Sequence, residues 1–320
     1  MTINEQMNCN KAFLSEISSE DKGIRKQAAA DFDTWLVTYQ RQDGVWRTRQ
    51  TPTPVTEADF AESVDIRDPF IIRAIKPRSA GAISTNFDTG TMATGMFANK
   101  YTIFLHRAWT PKYRIDRIYL TSYKGDLLDV FKDLSLQDLL AVEDVEGMSM
   151  LNACIGPKSV VNEEIGIKQY IDGGALTVDN IAHAIKGLTL STDNINPANG
   201  LVHRSLWWDL ITQLKADQYG DQIAARALAG DVAVLEESLY GIKFVSVLES
   251  RLVPAGTMYI TAEPKYCGDF VTYGEAKTFT KVEDDIWFEM WAHETYGMSM
   301  PYRGCATRTD FGTAPREEWK

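Results

Sequence analysis

Residues 239–273 read LYGIKFVSVLESRLVPAGTMYITAEPKYCGDFVTY, and residues 284–300 read DDIWFEMWAHETYGMSM. In the first stretch Gly241 closes a helical run over 231–240, and strand-forming residues follow over 242–248. Pro254, Ala255 and Gly256 then make a turn, and Thr257 to Ala262 reads as a second strand. In the second stretch Ile286, Phe288, Met290 and Ala292 recur at every other position, the period of a strand. Trp287, Glu289, Trp291 and His293 fall on the opposite face, so both faces carry large apolar groups. Such a strand is expected to be covered on both sides, by a helix of its own chain or by another subunit. Helix, strand, turn, strand and a late sheet make the fold class α+β.

Working outward, residues 101–107, YTIFLHR, and 114–120, RIDRIYL, read as two strands around Trp109, Thr110, Pro111 and Lys112. Ser135, with Asp138 three residues on, reads as the N-cap of a helix that runs to Ile155, where Gly156 and Pro157 stop it. Its roughly twenty residues predict a rod of about 30 Å. Thr177 caps a helix carrying Val178, Ile181, Ile185 and Leu188, and another starts at Ser205 with Leu206, Leu210, Ile211 and Leu214. Between them STDNINPANG, residues 191–200, has the composition of a loop. From Ile24, apolar residues at Ala28, Phe32, Trp35, Leu36 and Tyr39 predict an amphipathic helix. Residues 41–100 carry little periodicity beyond a short strand-like piece at 70–75. The region 42–100 is therefore expected to lack a core of its own and to be ordered by a neighbour.

The strand after Gly241, the p-x-G-x-x-y pattern of Pro254, Gly256 and Tyr259, and the closing aromatic strand together resemble the end of tailed-bacteriophage major capsid proteins with the Hong Kong 97-like shell fold. The resemblance implies an N-terminal arm and helix over 1–41 and an extended loop region over 42–100 that lies on the next subunit. It implies a peripheral domain over 101–170 and 263–300, with a long spine helix and a sheet, an axial domain over 171–262 and a C-terminal tail over 301–320. The implied function is self-assembly into the pentamers and hexamers of an icosahedral head around double-stranded DNA, located in the virion after assembly in the host cytoplasm. A scaffolding protein, a portal and decoration proteins are the further partners it implies. Catalytic, cofactor-binding and metal residues are not expected, and neither is a cofactor. An encapsulin-type shell, which houses an enzyme cargo in the same fold, and a soluble enzyme without a recognisable motif are the alternatives.

Some relatives carry a long scaffolding segment ahead of the arm. Here a short polar stretch after Met1 precedes the first helix, so a separate scaffolding protein and no large cleavage are expected. Others lock their shells by isopeptide bonds between a loop lysine and a late asparagine, with a buried glutamate as base. Lys76 and Lys100 are available, but 200–320 contains no asparagine, so non-covalent contacts are expected instead.

Composition narrows the classes further. A net charge of −11 argues against a protein that grips nucleic acid over much of its surface, while an acidic wall around packed phosphates suits a container. The start MTINEQMNCN has no apolar core, and no run of about 18 uncharged apolar residues occurs, so no membrane partner is expected. Cys9, Cys154, Cys267 and Cys305 form no C-x-x-C pair and are expected as reduced thiols. The Gly- and Thr-rich stretch 79–97 has no lysine where a phosphate-binding loop needs one. His106, His183, His203 and His293 lie in four separate elements, and His293-Glu294 lacks the second histidine of a zinc-binding helix. The adjacent pairs Glu163-Glu164, Glu236-Glu237 and Asp284-Asp285 point apart on any regular element. Arg107, Trp109, Lys112, Tyr113, Arg114, Arg117 and Tyr119 interleave cations with aromatics. That pattern fits a stacking platform for single-stranded nucleic acid, or a strand pair whose basic face meets an acidic surface on another copy of this chain.

Overall fold

The computed structural model describes residues 44–61, 69–74, 100–116, 118, 127–158, 160–162, 167–189, 196–206, 209, 242–247, 251–283, 286–302 and 304–312. In chain order the elements are α1 (Val45–Arg49), β1 (Thr53–Val55), β2 (Phe70–Ala74), β3 (Lys100–Phe104), β4 (His106–Trp109), β5 (Tyr113–Asp116) and α2 (Leu127–Ile155). There follow β6 (Val161–Asn162), β7 (Ile167–Lys168), β8 (Tyr170–Gly174), α3 (Val178–Thr189), β9 (Pro197–His203) and β10 (Lys243–Val247). The chain ends with β11 (Thr257–Ala262), α4 (Pro264–Cys267), β12 (Asp269–Tyr273), β13 (Lys277–Glu283), β14 (Trp287–Ser299) and β15 (Ala306–Phe311). The sequence-derived helices over 24–39 and 231–240, the stretch 79–97, and most of the helix from Ser205 lie outside the described residues.

β14, 13 residues long, is the axis of the first sheet. β5 and β4 lie end to end along one edge, with Asp116 opposite Trp287 and His106 opposite Tyr296. β12 and β13 do the same along the other, from Asp269 opposite Ser299 to Glu283 opposite Trp287. The strands around Trp109 to Lys112 are therefore not partners of each other, because both spend their backbone hydrogen bonds on β14. Thr110 bridges the gap between them: its N–H donates to the Ala292 carbonyl at 2.9 Å, and its hydroxyl accepts from the Ala292 N–H at 2.8 Å. β3 belongs instead to a hairpin with β2.

The second sheet has the order β10-β9-β11-β15-β8, with parallel pairs at β10/β9 and β15/β8. Its middle was legible: the Pro254–Gly256 turn is closed by the Thr257 N–H on the Pro254 carbonyl, and every residue of β11 is buried. Part of it was not. The loop-like 191–200 contributes Pro197 to Gly200 to β9, where a glycine is required because a Cβ at Gly200 would stand 2.4 Å from the Phe244 ring. The segment 301–320 contains β15, which lies between β11 and β8. α3 starts where expected, with the Asn180 N–H donating to the Thr177 hydroxyl at 3.3 Å.

α2 starts at Leu127, eight residues before the expected cap. Ser135 is fully buried inside the helix, because Phe131 and Leu136 on either side of it already pack into the core. At 29 residues the helix is about 44 Å long, close to the reach of a 13-residue strand. It follows β14 in the same sense. Tyr113, opposite Met290, packs its ring at a tilt against Phe131 and donates its hydroxyl to Asp138, while Met298 shares a cleft with Met150. The last turn reaches the second sheet, where Asn152 accepts from the Tyr259 hydroxyl at 2.9 Å. One continuous core runs from Trp46 and Leu139 to Tyr259 and Phe311 through this helix.

Residues 44–55 correct the expectation that 42–100 buries nothing of its own. Trp46, Arg47, Arg49, Gln50 and Val55 are all buried. α1 docks on α2 through backbone capping, since Asp144 accepts from the N–H groups of Trp46 at 2.7 Å and Val45 at 3.3 Å, anion against helix N-terminus. Gly147, one turn on, leaves the notch for the indole. A Cβ there would stand 2.3 Å from the Trp46 ring. Gly147→Ala should lower the unfolding free energy by about 1–3 kcal/mol. A urea midpoint unchanged from wild type would contradict this docking.

Candidate functional site

Behind α1 lies a buried charge cluster that holds helix and sheet together. Arg47 donates Nε to Glu143 Oε2 at 2.8 Å and Nη2 to Glu143 Oε1 at 2.6 Å, a two-pronged pair, and Nη2 also reaches Glu294 Oε1 at 2.6 Å. Arginine, α2 and β14 are thus tied at one point, with all three side chains almost wholly shielded from solvent. Burial alone would lower the Arg47 guanidinium, but hydrogen bonding and charge from Glu143, then Glu294, outweigh it and hold it above its usual value. Burial pushes Glu143 up to about 8, Arg47 opposing and the Glu294 charge adding to the rise. Burial sets the direction, and the second carboxylate reinforces it.

The opposite face of the first sheet is covered by no described element. Along β14, Phe288, Met290, Ala292, Glu294 and Tyr296 are buried, while Trp287, Glu289, Trp291, His293 and Thr295 alternate with them and stay partly open. Phe279 of β13 stacks on Trp291 at 5.8 Å and on His293 at 5.1 Å, and Trp109 of β4 stacks on His293 at 4.7 Å. Trp109 is nevertheless 50% exposed and Phe279 41%. Cations rim these rings: Arg107 over Trp109, Lys112 over Trp291 and Arg114 over Trp287, with ring distances of 5.7, 5.0 and 4.6 Å. Arg114 also approaches Glu289 at 3.5 Å. Burial, then the charges of Arg107 and Lys277, lower the His293 imidazole. Beside Arg107 and His293 an open cleft of about 380 Å³ continues the surface to Thr56 and Glu57.

Of the cation and aromatic residues singled out in sequence, Arg107, Trp109, Lys112 and Arg114 share this surface. Tyr113 does not, since it turns toward α2. Arg117 and Tyr119 lie outside the described residues. The sequence placed Trp287, Trp291 and His293 on one face, as found, but β13 and its Phe279 went unread because its Lys-Thr-Phe-Thr-Lys alternation is short. A second uncovered apolar surface runs along α2, where Val130, Leu134, Val142 and Val145 are exposed. The four histidines are not brought together, and among the described residues no group of three or more His, Cys, Asp or Glu could hold a metal ion. No described helix is long and apolar enough to cross a membrane.

No protein-family model matches the sequence, and no curated protein matches it. Solved structures do. The chain is similar to the capsid of a native GTA particle (TM-score 0.56, 12% identity, 83% of this chain and 89% of that one). It is similar to the bacteriophage PhiM1 mature capsid (0.55, 10%, 85% and 88%) and to the capsid of cyanophage P-SCSP1u (0.53, 12%, 85% and 89%). The fold is therefore that of phage capsid subunits, consistent with the Hong Kong 97-like shell fold that the sequence resembles.

The charge cluster gives a pH test. Glu143 binds its proton more tightly folded than unfolded, so stability is lost as pH rises from its ordinary value, near 4.5, to about 8. Unfolding free energies of wild type and Glu143→Gln, measured across that window, should converge or cross in the direction of a falling wild type. A constant difference would contradict the assignment.

Proposed function

We propose that this chain is the major capsid protein of a tailed bacteriophage, building the pentamers and hexamers of an icosahedral head around double-stranded DNA. The observation that carries this reading is likeness to phage capsid subunits along more than four fifths of the chain. The first sheet with α2 is read as the peripheral domain and the second sheet with α3 as the axial domain, β15 included. The hairpin of β2 and β3 is read as the base of an extended loop.

The uncovered surfaces support assembly more than catalysis. A face of stacked aromatics rimmed by arginine and lysine, on a chain whose net charge is −11, suits an acidic patch on the next copy. Among the described residues the two well-buried glutamates, Glu143 and Glu294, lie on the other side of the sheet and are both bound to Arg47. The shell is accordingly read as held by non-covalent contacts, and the chain is assigned no catalytic role. Scaffolding protein, portal and decoration proteins are the partners this reading implies, with assembly in the host cytoplasm. A container for an enzyme cargo would instead co-purify with that enzyme and without DNA.

Trp109→Asp and Phe279→Asp change only exposed positions. Each should lower the melting temperature of the subunit by only a few °C, the cost of one or two lost ring contacts, and leave it folded. Each should abolish shells in negative-stain microscopy of the chain expressed with its neighbouring genes. Normal shells from both variants would overturn the role given to this face.

A further inference from the structure

Three cysteines that the sequence scatters meet where α2 ends. Cys154, in the last turn and partly exposed, has its sulfur 3.9 Å from that of Cys305, 151 residues later at the foot of β15. Cys267, at the end of α4, lies against the same point, with its sulfur 3.5 Å from the Ala262 carbonyl and 4.0 Å from that of Cys305. Cys267 and Cys305 are fully enclosed. The three do not form a group that could hold a metal ion.

Their surroundings favour the anion on Cys267 and Cys154 and the thiol on Cys305. Buried Arg49 gives Nε to the Thr261 hydroxyl at 3.2 Å and lies over the Trp46 ring, but neither Nη group has an oxygen acceptor among the described residues. The Cys267 sulfur is the partner beside it. Hydrogen bonding from Cys305 draws the Cys267 thiol down to about 7 against burial, helped by the Arg49 charge. The same donor lowers Cys154, and Cys305, which keeps its proton between them, is pushed up.

We propose that Cys154 and Cys305 form a peroxide-responsive oxidation site that closes to a disulfide and staples the end of α2 to β15. Cys154 is the one of the three that a small oxidant can reach. Its thiolate attacks hydrogen peroxide, the O–O bond breaks, and Cys154 becomes a sulfenic acid as hydroxide leaves. Cys305 then attacks that sulfur, the S–O bond breaks, and the thiol proton departs with the hydroxyl as water. Two thiols and one peroxide give one disulfide and two waters. Bond formation brings the sulfurs from 3.9 Å to about 2 Å. Because the link spans 151 residues, it removes much of the freedom of the unfolded chain. On the shell reading, the site stays open in a reducing cytosol and closes in released particles. The thiol chemistry itself does not depend on that reading.

The test uses the purified full chain carrying Cys9→Ser, reduced and then treated with hydrogen peroxide, trapped with a maleimide and mapped by mass spectrometry. A Cys154–Cys305 linked peptide is expected, with Cys267 alkylated. The melting temperature should rise by about 5 °C or more and return on reduction with dithiothreitol. Cys154→Ser and Cys305→Ser should each lose both effects. Linkage through Cys267, oxidation to sulfinic or sulfonic acid without a link, or a link with no change in melting would overturn the proposal. A chain that staples as described yet forms no shells would leave this site standing and sink only the assembly reading.

Discussion

A guanidinium buried between two carboxylates fixes the frame of this molecule. Arg47 comes from a five-residue helix, Glu143 from the middle of a 29-residue helix and Glu294 from the long central strand, so one cation sets the position of three elements. Taking these charges out of water costs several kcal/mol per ion, and the return comes only with good geometry. The geometry here is the two-pronged kind that repays best, and it tolerates no shift of α2 along β14. Asp144 and Gly147 enforce the same register from the neighbouring positions, one by capping α1 and the other by leaving room for Trp46.

With α2 held there, the rest of the architecture is constrained. The helix is long enough to cover one face of β14 and still reach the second sheet, where Asn152 meets Tyr259 and Arg308. It cannot cover both faces of the strand. The far face keeps its tryptophans, Phe279 and His293 stacked on one another under a rim of cations, an arrangement stable enough to stand in solvent yet apolar enough to gain by leaving it. Stability of the subunit and readiness to associate thus come from opposite sides of the same strand.

Those sides were readable because alternation along 286–292 needs only local information, and so were β11 with its turn and the cap of α3. What local pattern could not give is pairing. The residues around Thr110 look like a hairpin because each arm is strand-like, and only the presence of β14 shows that both arms align on a third strand. The helix at 127–155 starts early because tertiary burial of Phe131 and Leu136 outweighs the capping preference of Ser135. Arg47, Glu143 and Glu294 carry no sequence signal at separations of 96 and 247 residues, and the convergence of Cys154, Cys267 and Cys305 is equally silent. The charge cluster was missed for that reason, while the aromatic and basic face was half found, through Arg107, Trp109, Lys112 and Arg114.

On the shell reading, a neighbouring copy closes the open face of β14. Hydroxyl-radical footprinting of isolated subunits and of assembled particles measures that closure at the side chains themselves. Trp109, Phe279 and Trp291 should be oxidised readily in the subunit and protected several-fold in the particle, while buried Tyr259 stays unreactive in both. Equal labelling of the three aromatic residues in subunit and particle would contradict the account.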